Sequence, residues 1–377
     1  MSRDRQPIPR RLDIYRTAIP MRGFEHAAAS REVAEAVVVR VEFADGSVGW
    51  GETLPRPYVT GETIDGVVDE IAERLWPAVA GRPDGSERIR ELMDAACAEG
   101  RCINAAACAL ELTCRRWRVG DERAAAISAR VSGVLGSVDP GRTAWRLRLM
   151  RWYGLRDFKL KLGLGEDVDA ENLRVVGRRL ARAIRRGRCT LRVDVNGGWP
   201  AGEVPQRVDD LRRFGVCVVE QPTTAPAGEL AELAGKCALP LIADESLLSG
   251  ADARALLAQP QRIWWNIRIS KNGGLDAALR LARLAAENNV PFAVGCMVGE
   301  SGILSAAQRR LLQIAPQPRF VEGNYGRFLL ADDLTRPSPR FGYAGRLRPL
   351  NRPSLGLRVD DRKLQRYGTL VRTVTAS

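Results

Sequence analysis

The stretch Leu191-Arg192-Val193-Asp194-Val195-Asn196-Gly197-Gly198-Trp199 constrains this chain more than any other. It opens as an apolar run and closes on an acid, an amide and two glycines. Such a run reads as a buried parallel strand that delivers polar side chains at its carboxyl end. Strand alternation points Asp194 and Asn196 to the same side. The pattern recurs in Val216-Cys217-Val218-Val219-Glu220-Gln221-Pro222 and in Leu239-Pro240-Leu241-Ile242-Ala243-Asp244-Glu245-Ser246. Spacings of 26 residues (194 to 220) and 24 residues (220 to 244) each leave room for one helix and two short loops. Three acids therefore close three successive strands of a repeating strand–helix unit.

Eight strand-like runs alternate with helical ones along the second half of the chain. The strands are expected at 126–131, 158–162, 191–195, 217–220, 241–244, 264–269, 292–295 and 320–322, with helices at 169–186, 203–213, 252–259 and 275–288 among them. This rhythm fits a (β/α)8 barrel, an α/β fold, better than a doubly wound sheet. A dinucleotide fold would want a longer glycine signature than Gly163-Leu164-Gly165, which runs on into Glu166-Asp167. Ahead of the repeats, residues 8–53 read as a hairpin-like β region turning at Asp45-Gly46, with 21–26 and 55–61 as loops. Residues 62–118 read as helical, alanine-rich from Ile103 to Trp117. The expected organisation is an α+β capping domain over 1–122, a barrel over 123–335 and a C-terminal segment, 336–377, packing back on the cap.

Composition excludes several function classes. No apolar run approaches 18 residues, so no membrane span is expected. The start Met1-Ser2-Arg3-Asp4-Arg5-Gln6-Pro7 does not lead into an apolar stretch, so a cytoplasmic location is expected. None of the eight cysteines forms Cys-x-x-Cys, which points to buried thiols and not to disulfides or zinc. The net charge of +13 is spread over scattered arginines, so it reads as a solvated surface and no nucleic-acid partner is expected. Only Lys159, Lys161, Lys236, Lys271 and Lys363 are lysines among 58 basic residues. Lysine can be deprotonated where arginine cannot, which makes Phe158-Lys159-Leu160-Lys161-Leu162-Gly163 the place to look for a base.

Active sites of such barrels form at the carboxyl ends of the strands. Those ends present Lys159 and Lys161, then Asp194, Glu220 and Asp244, then Asn266, Arg268 and Lys271, then Cys296 and Glu300, and last Glu322. Three converging carboxylates call for a hard divalent cation such as Mg2+. Zinc is excluded by the presence of a single histidine, His26. Lys159 and Lys161 share a face, so each is expected to lower the other's pKa. A metal facing such an amine is equipment for removing a proton next to a carboxylate.

The series Lys-x-Lys, Asp-x-Asn, Glu-Gln-Pro, Ala-Asp-Glu-Ser and Asn-Ile-Arg-Ile-Ser-Lys-Asn-Gly-Gly resembles the enolase superfamily, in its muconate lactonizing enzyme and mandelate racemase-like subgroup. The resemblance implies that Asp194, Glu220 and Asp244 bind Mg2+ or Mn2+, that Lys161 is the base and that Lys159 tunes it. It implies supporting roles for Asn196 and Glu245. Substrate contacts would come from Arg22, Phe24, His26, Tyr58 and Thr60 of the cap and from Met297 and Glu300 of the barrel, in a homo-oligomer acting on a small carboxylate. One departure stands out. The subgroup places a second lysine 24 residues past the last metal ligand, and here that position is Arg268. A one-base reaction is expected, either cycloisomerisation or syn-elimination. The alternatives are an amino-acid or dipeptide racemase or epimerase using Lys271 as the second acid, and a non-catalytic binding protein on the same scaffold.

Overall fold

The apolar run around Val38 is buried on both faces, and the capping region is built on it. The computed structural model describes residues 7–26, 29–114, 126–350 and 354–376, with only the backbone described for 23–26 and 29–31. Strands β1 (Pro9–His26), β2 (Ala29–Phe43) and β3 (Val48–Thr53) form an antiparallel sheet, and the C-terminal strand Gly368–Thr375 pairs with the outer edge of β1. Val37, Val39 and Val41 of β2 pack with the helices of this region, whereas Ala34, Ala36 and Val38 face the barrel core. The turn at Asp45-Gly46 forms as read, with Phe43 N donating to Ser47 O at 2.9 Å and Gly46 at a φ of 77°. Residues 21–26 are not the expected loop, because β1 continues through them against β2. The expected loop at 55–61 contains the short helix Pro57–Thr60.

The alanine-rich helix Asn104–Cys114 lies directly on β3. A Cβ on Gly49 would come within 2.2 Å of Thr113 O, and one on Gly51 within 1.8 Å of Ala109 O. Glycine in the strand and alanine in the helix thus serve the same close approach.

Eight parallel strands follow in sequence order: β4 (Gly133–Leu135), β5 (Asp157–Lys161), β6 (Thr190–Asp194), β7 (Val216–Glu220), β8 (Leu241–Ala243), β9 (Ile263–Ile267), β10 (Phe292–Val294) and β11 (Phe320–Val321). A parallel bridge from Val131 to Val321, with Ser132 N donating to Val321 O at 2.8 Å, closes the ring. The first strand is corrected from 126–131 to Gly133–Leu135; residues 126–129 are irregular, and Arg130 pairs with Arg346. The local apolar pattern was similar, but ring closure on β11 decides the register.

Seven helices connect successive barrel strands, from Pro140–Trp152 to Gly302–Ile314. After β11, the one described α-helix is Asp361–Tyr367, which packs on the capping sheet. The flank beside helix Pro140–Trp152 is instead covered by a segment whose only helical pieces among the described residues are short 3-10 turns, Gly326–Phe328 and Tyr343–Gly345, with the Tyr153 ring 5.9 Å from both Phe328 and Phe341. No helix among the described residues is long and apolar enough to cross a membrane, and all eight cysteines are free thiols.

The cap docks over the loops after β8, β9 and β10. Glu52 accepts from Ser301 N (2.8 Å), Ser301 Oγ (2.7 Å) and Leu304 N (3.0 Å), capping helix Gly302–Ile314. Asn104 Nδ2 donates to Leu248 O and Lys271 O, both at 2.8 Å, and Leu275 N donates to Glu111 Oε2 at 2.9 Å.

Candidate active site

Register places the acids. Lys161 pairs with Asp194, Asp194 with Glu220, and Glu220 with Ile242, two residues before Asp244. Asp194, Glu220 and Asp244 are all fully buried. Lys159 Nζ lies 3.1 Å from Asp194, 3.2 Å from Glu220 and 2.7 Å from Glu322. Lys161 Nζ donates to Asp194 Oδ2 at 2.6 Å and to Asn196 Oδ1 at 2.8 Å. Arg268 Nη2 touches Asp244 and stands 3.7 Å from Glu220. Two glycines make this crowding feasible. A Cβ on Gly136 would come 2.9 Å from Lys161 Cβ, and one on Gly295 would come 2.4 Å from Asn266 Oδ1 and 3.1 Å from Arg268 Cγ.

The charges nearly cancel within the cluster. Asp194, Glu220, Asp244, Glu245 and Glu322 face Lys159, Lys161, Arg192, Arg268 and Lys271. Burial works against the Asp194 anion, but Lys161 and Lys159 outweigh it and hold its pKa well below the carboxylate range. Glu322 is opposed by burial too, yet Lys159 and Arg192 bring it down to about 2. Burial, followed by repulsion from Asp194, pushes Glu220 and Glu245 up. For Lys159 the expected lowering is corrected: burial disfavours its charge, but Glu220, Glu322 and Asp194 prevail and raise its pKa. Its neighbours are predominantly acids, so the other lysine does not decide its charge.

Oxygen donors from three acids suit a hard divalent cation, and Asn266 Oδ1 and Glu245 Oε2 are buried without a hydrogen-bond partner. As the side chains stand, no three acidic, histidine or cysteine groups among the described residues form a ready metal cage. Lys159 and Arg268 fill the spaces between them. The nitrogen Arg268 Nη2, touching Asp244 and reaching toward Glu220, stands in for a shared cation.

A cavity of about 470 Å3 opens onto Lys159, Lys161, Arg268 and Glu322, and Arg22 of the cap reaches it. Other expected contacts lie elsewhere. Tyr58 lines a second cavity with Asn196 and Glu245, and Thr60 is buried outside both. The side chains of Phe24 and His26 lie outside the described residues. Met297 sits behind Arg268, whose Nη1 is 3.7 Å from its Sδ, and Glu300 accepts from Met297 N. Neither reaches the 470 Å3 cavity. Lys271 is also turned away: its ammonium donates to Asp244 Oδ1 at 3.0 Å and to Asn266 O at 2.8 Å. Burial, then repulsion from Arg268, pushes its pKa well below the lysine range.

Arg192 was missed as a site residue. It is fully buried, pairs with Glu322 and donates to Ser132 Oγ at 3.2 Å. The signal was present, because period-two alternation puts Arg192 on the same face as Asp194.

A family model described as enolase C-terminal domain-like matches residues 143–363, more than half of the chain, and the chain belongs to that family. It is an enzyme of the enolase superfamily, in the subgroup that resembles muconate lactonizing enzyme and mandelate racemase. The L-Lys-D/L-Arg epimerase of Methylococcus capsulatus is 31% identical over 371 residues, covering 90% of this chain and 96% of its own length. The N-succinyl-L-Arg/Lys racemase of Bacillus cereus is 27% identical over 309 residues, covering 78% and 81%. A solved muconate cycloisomerase variant superposes with a TM-score of 0.80 at 25% identity, over 96% of this chain and 100% of that one.

Proposed function

We propose that this enzyme removes the α-proton of a carboxylate substrate with Lys161 as its single base. Lys161 lies on β5 and Arg268 just past β9, four strands apart in a ring of eight, so they face one another across the barrel. That pairing carries the reading. Lys159 is clamped by three acids and kept charged, and Lys271 lies behind Asp244, which leaves Lys161, with Asp194 as its one acid partner, as the remaining lysine at the cavity. An arginine side chain is a poor proton donor and acceptor, unlike a lysine. Arg268 can shield developing negative charge but cannot exchange protons on the opposite face.

Asp194, Glu220 and Asp244 are the groups that would hold Mg2+, or Mn2+. When bound, the ion supplies positive charge to the substrate carboxylate and stabilises the enediolate that proton loss creates. Asn196 would orient Lys161 through its 2.8 Å hydrogen bond, and Glu245 would accept from Asn196 Nδ2 at 3.3 Å. A one-base site suits cycloisomerisation or syn-elimination, in which one face of the α-carbon reacts.

The second reading is racemisation or epimerisation, which the names of the relatives favour. Proton NMR in D2O with Mg2+ distinguishes the two, using muconate-like acids, N-acyl amino acids and dipeptides as separate arms. Deuterium entering the α-carbon with retention, ring closure that delivers deuterium to the α-carbon, or loss of the α-proton with ring opening or elimination, supports the one-base reaction. Deuterium entering with inversion overturns it in favour of the epimerase.

A further inference from the structure

The cavity is far larger than the chemistry at its charged end requires. At about 30 Å3 per water-sized unit, its roughly 470 Å3 holds about fifteen such units. A carboxylate head and α-carbon fill only a small part of that. The remaining walls are mostly apolar, with Leu149, Met150 and Trp152 of helix Pro140–Trp152 and then Tyr153, Phe328 and Phe341, interrupted by Arg22 and Arg146. This is the flank where a segment without an α-helix takes the place of a returning helix. Gly133 allows the helix to close in on β4, since a Cβ there would come 2.8 Å from Met150 Sδ. At the open rim, Leu149, Phe328 and Trp152 are 41%, 50% and 81% exposed, a concentration of apolar surface that marks a binding edge.

The lining also excludes one kind of ligand. Its one carboxylate among the described residues, Glu322, is already held by Lys159 at 2.7 Å and by Arg192. Among the described residues, no acid in the wall is left to receive a substrate ammonium. The second cavity, by contrast, is lined by two acids, Glu245 and Asp252.

We propose that the outer part of the 470 Å3 cavity is a subsite for an extended, uncharged apolar substituent, an aryl group or a medium-length alkyl chain, on the substrate carboxylate. The placement of the head rests on the proton-abstraction reading. The occupancy of the outer walls rests on their own chemistry.

Titration calorimetry of the full chain with Mg2+ tests this, using hexanoate, octanoate and decanoate as probes. Burying each methylene is worth about a fourfold gain in affinity, so octanoate should bind roughly fifteenfold tighter than hexanoate. Val134→Trp narrows the wall on β4, and Phe328→Ser removes a half-exposed rim ring that stacks on Phe341. Either variant should erase most of the gain with chain length. Equal affinities across the series, or a gain that survives in both variants, overturns the subsite. Exchange of the α-proton, wild type against Lys161→Ala, is scored separately. A chain-length gain with no exchange supports the subsite and counts only against the proton-abstraction reading.

Discussion

Lys161 Nζ lies 2.6 Å from Asp194 Oδ2, so the amine proposed as base and an acid proposed as metal ligand hold each other in place. A neutral amine with the same reach is needed for proton removal, and general-base catalysis contributes about 10^2–10^4-fold. Lys161→Met should lower α-proton exchange by that order. Its Mg2+-dependent rise in melting temperature should persist, because three acids remain. Undiminished exchange in the variant would refute the role of Lys161.

Metal binding should appear as stabilisation. Ligand at 100 times its Kd adds about 2.7 kcal/mol to a folded protein, which shifts the melting temperature by several degrees. Saturating Mg2+ should produce that shift in the wild type, and chelation should reverse it. Glu220→Gln and Asp244→Asn should lose most of it. A melting curve that ignores Mg2+ at millimolar concentration would remove the metal from the mechanism.

In the proposed one-base reaction, Arg268 is the residue that confines proton transfer to one face. Replacing it by lysine puts a deprotonatable amine across the barrel from Lys161. Arg268→Lys should gain α-inversion that the wild type lacks, followed by NMR in D2O with a chiral substrate. Inversion at equal rates in both proteins would show that Arg268 does not limit the wild type to one face.

The buried acids set a pH dependence of stability. Burial pushes Glu300 up to about 8 from an ordinary value of 4.5, and Glu52 up to about 7. A raised folded pKa means that the native state binds the proton more tightly. The contribution is therefore full below pH 4.5 and is lost as pH rises to about 8. For Glu300 it is on the order of a few kcal/mol. Glu300→Gln keeps an acceptor for Met297 N and cannot ionise, so it should melt higher than the wild type at pH 8 and differ little at pH 4.5. Equal pH slopes for the two proteins between pH 5 and 8 would exclude this titration.

Much of the barrel was legible because its signals are local. β-branched runs ending in acids, at spacings that fit one helix, placed seven of the eight strands to within a residue or two, and period-two alternation put Lys159 with Lys161 and Asp194 with Asn196. The first barrel strand was not legible. Two neighbouring apolar runs compete for the role, and the choice falls to a bridge between Val131 and Val321. Residues 21–26 read as loop because they mix glycine, charge and aromatic residues; the long partner strand β2 extends them.

The chain's sequence alone determined which reactive side chains stand at the strand ends: three acids, two lysines in phase, and an arginine where a second lysine was expected. These follow from residue type and short spacing. Tertiary structure alone decided which charge meets which, because pairs such as Arg192 and Glu322 close across 130 residues. It also decided that Lys271 serves Asp244 and that the cavity extends along an apolar flank. A cavity is bounded by elements distant in sequence, and no local pattern encodes the space between them.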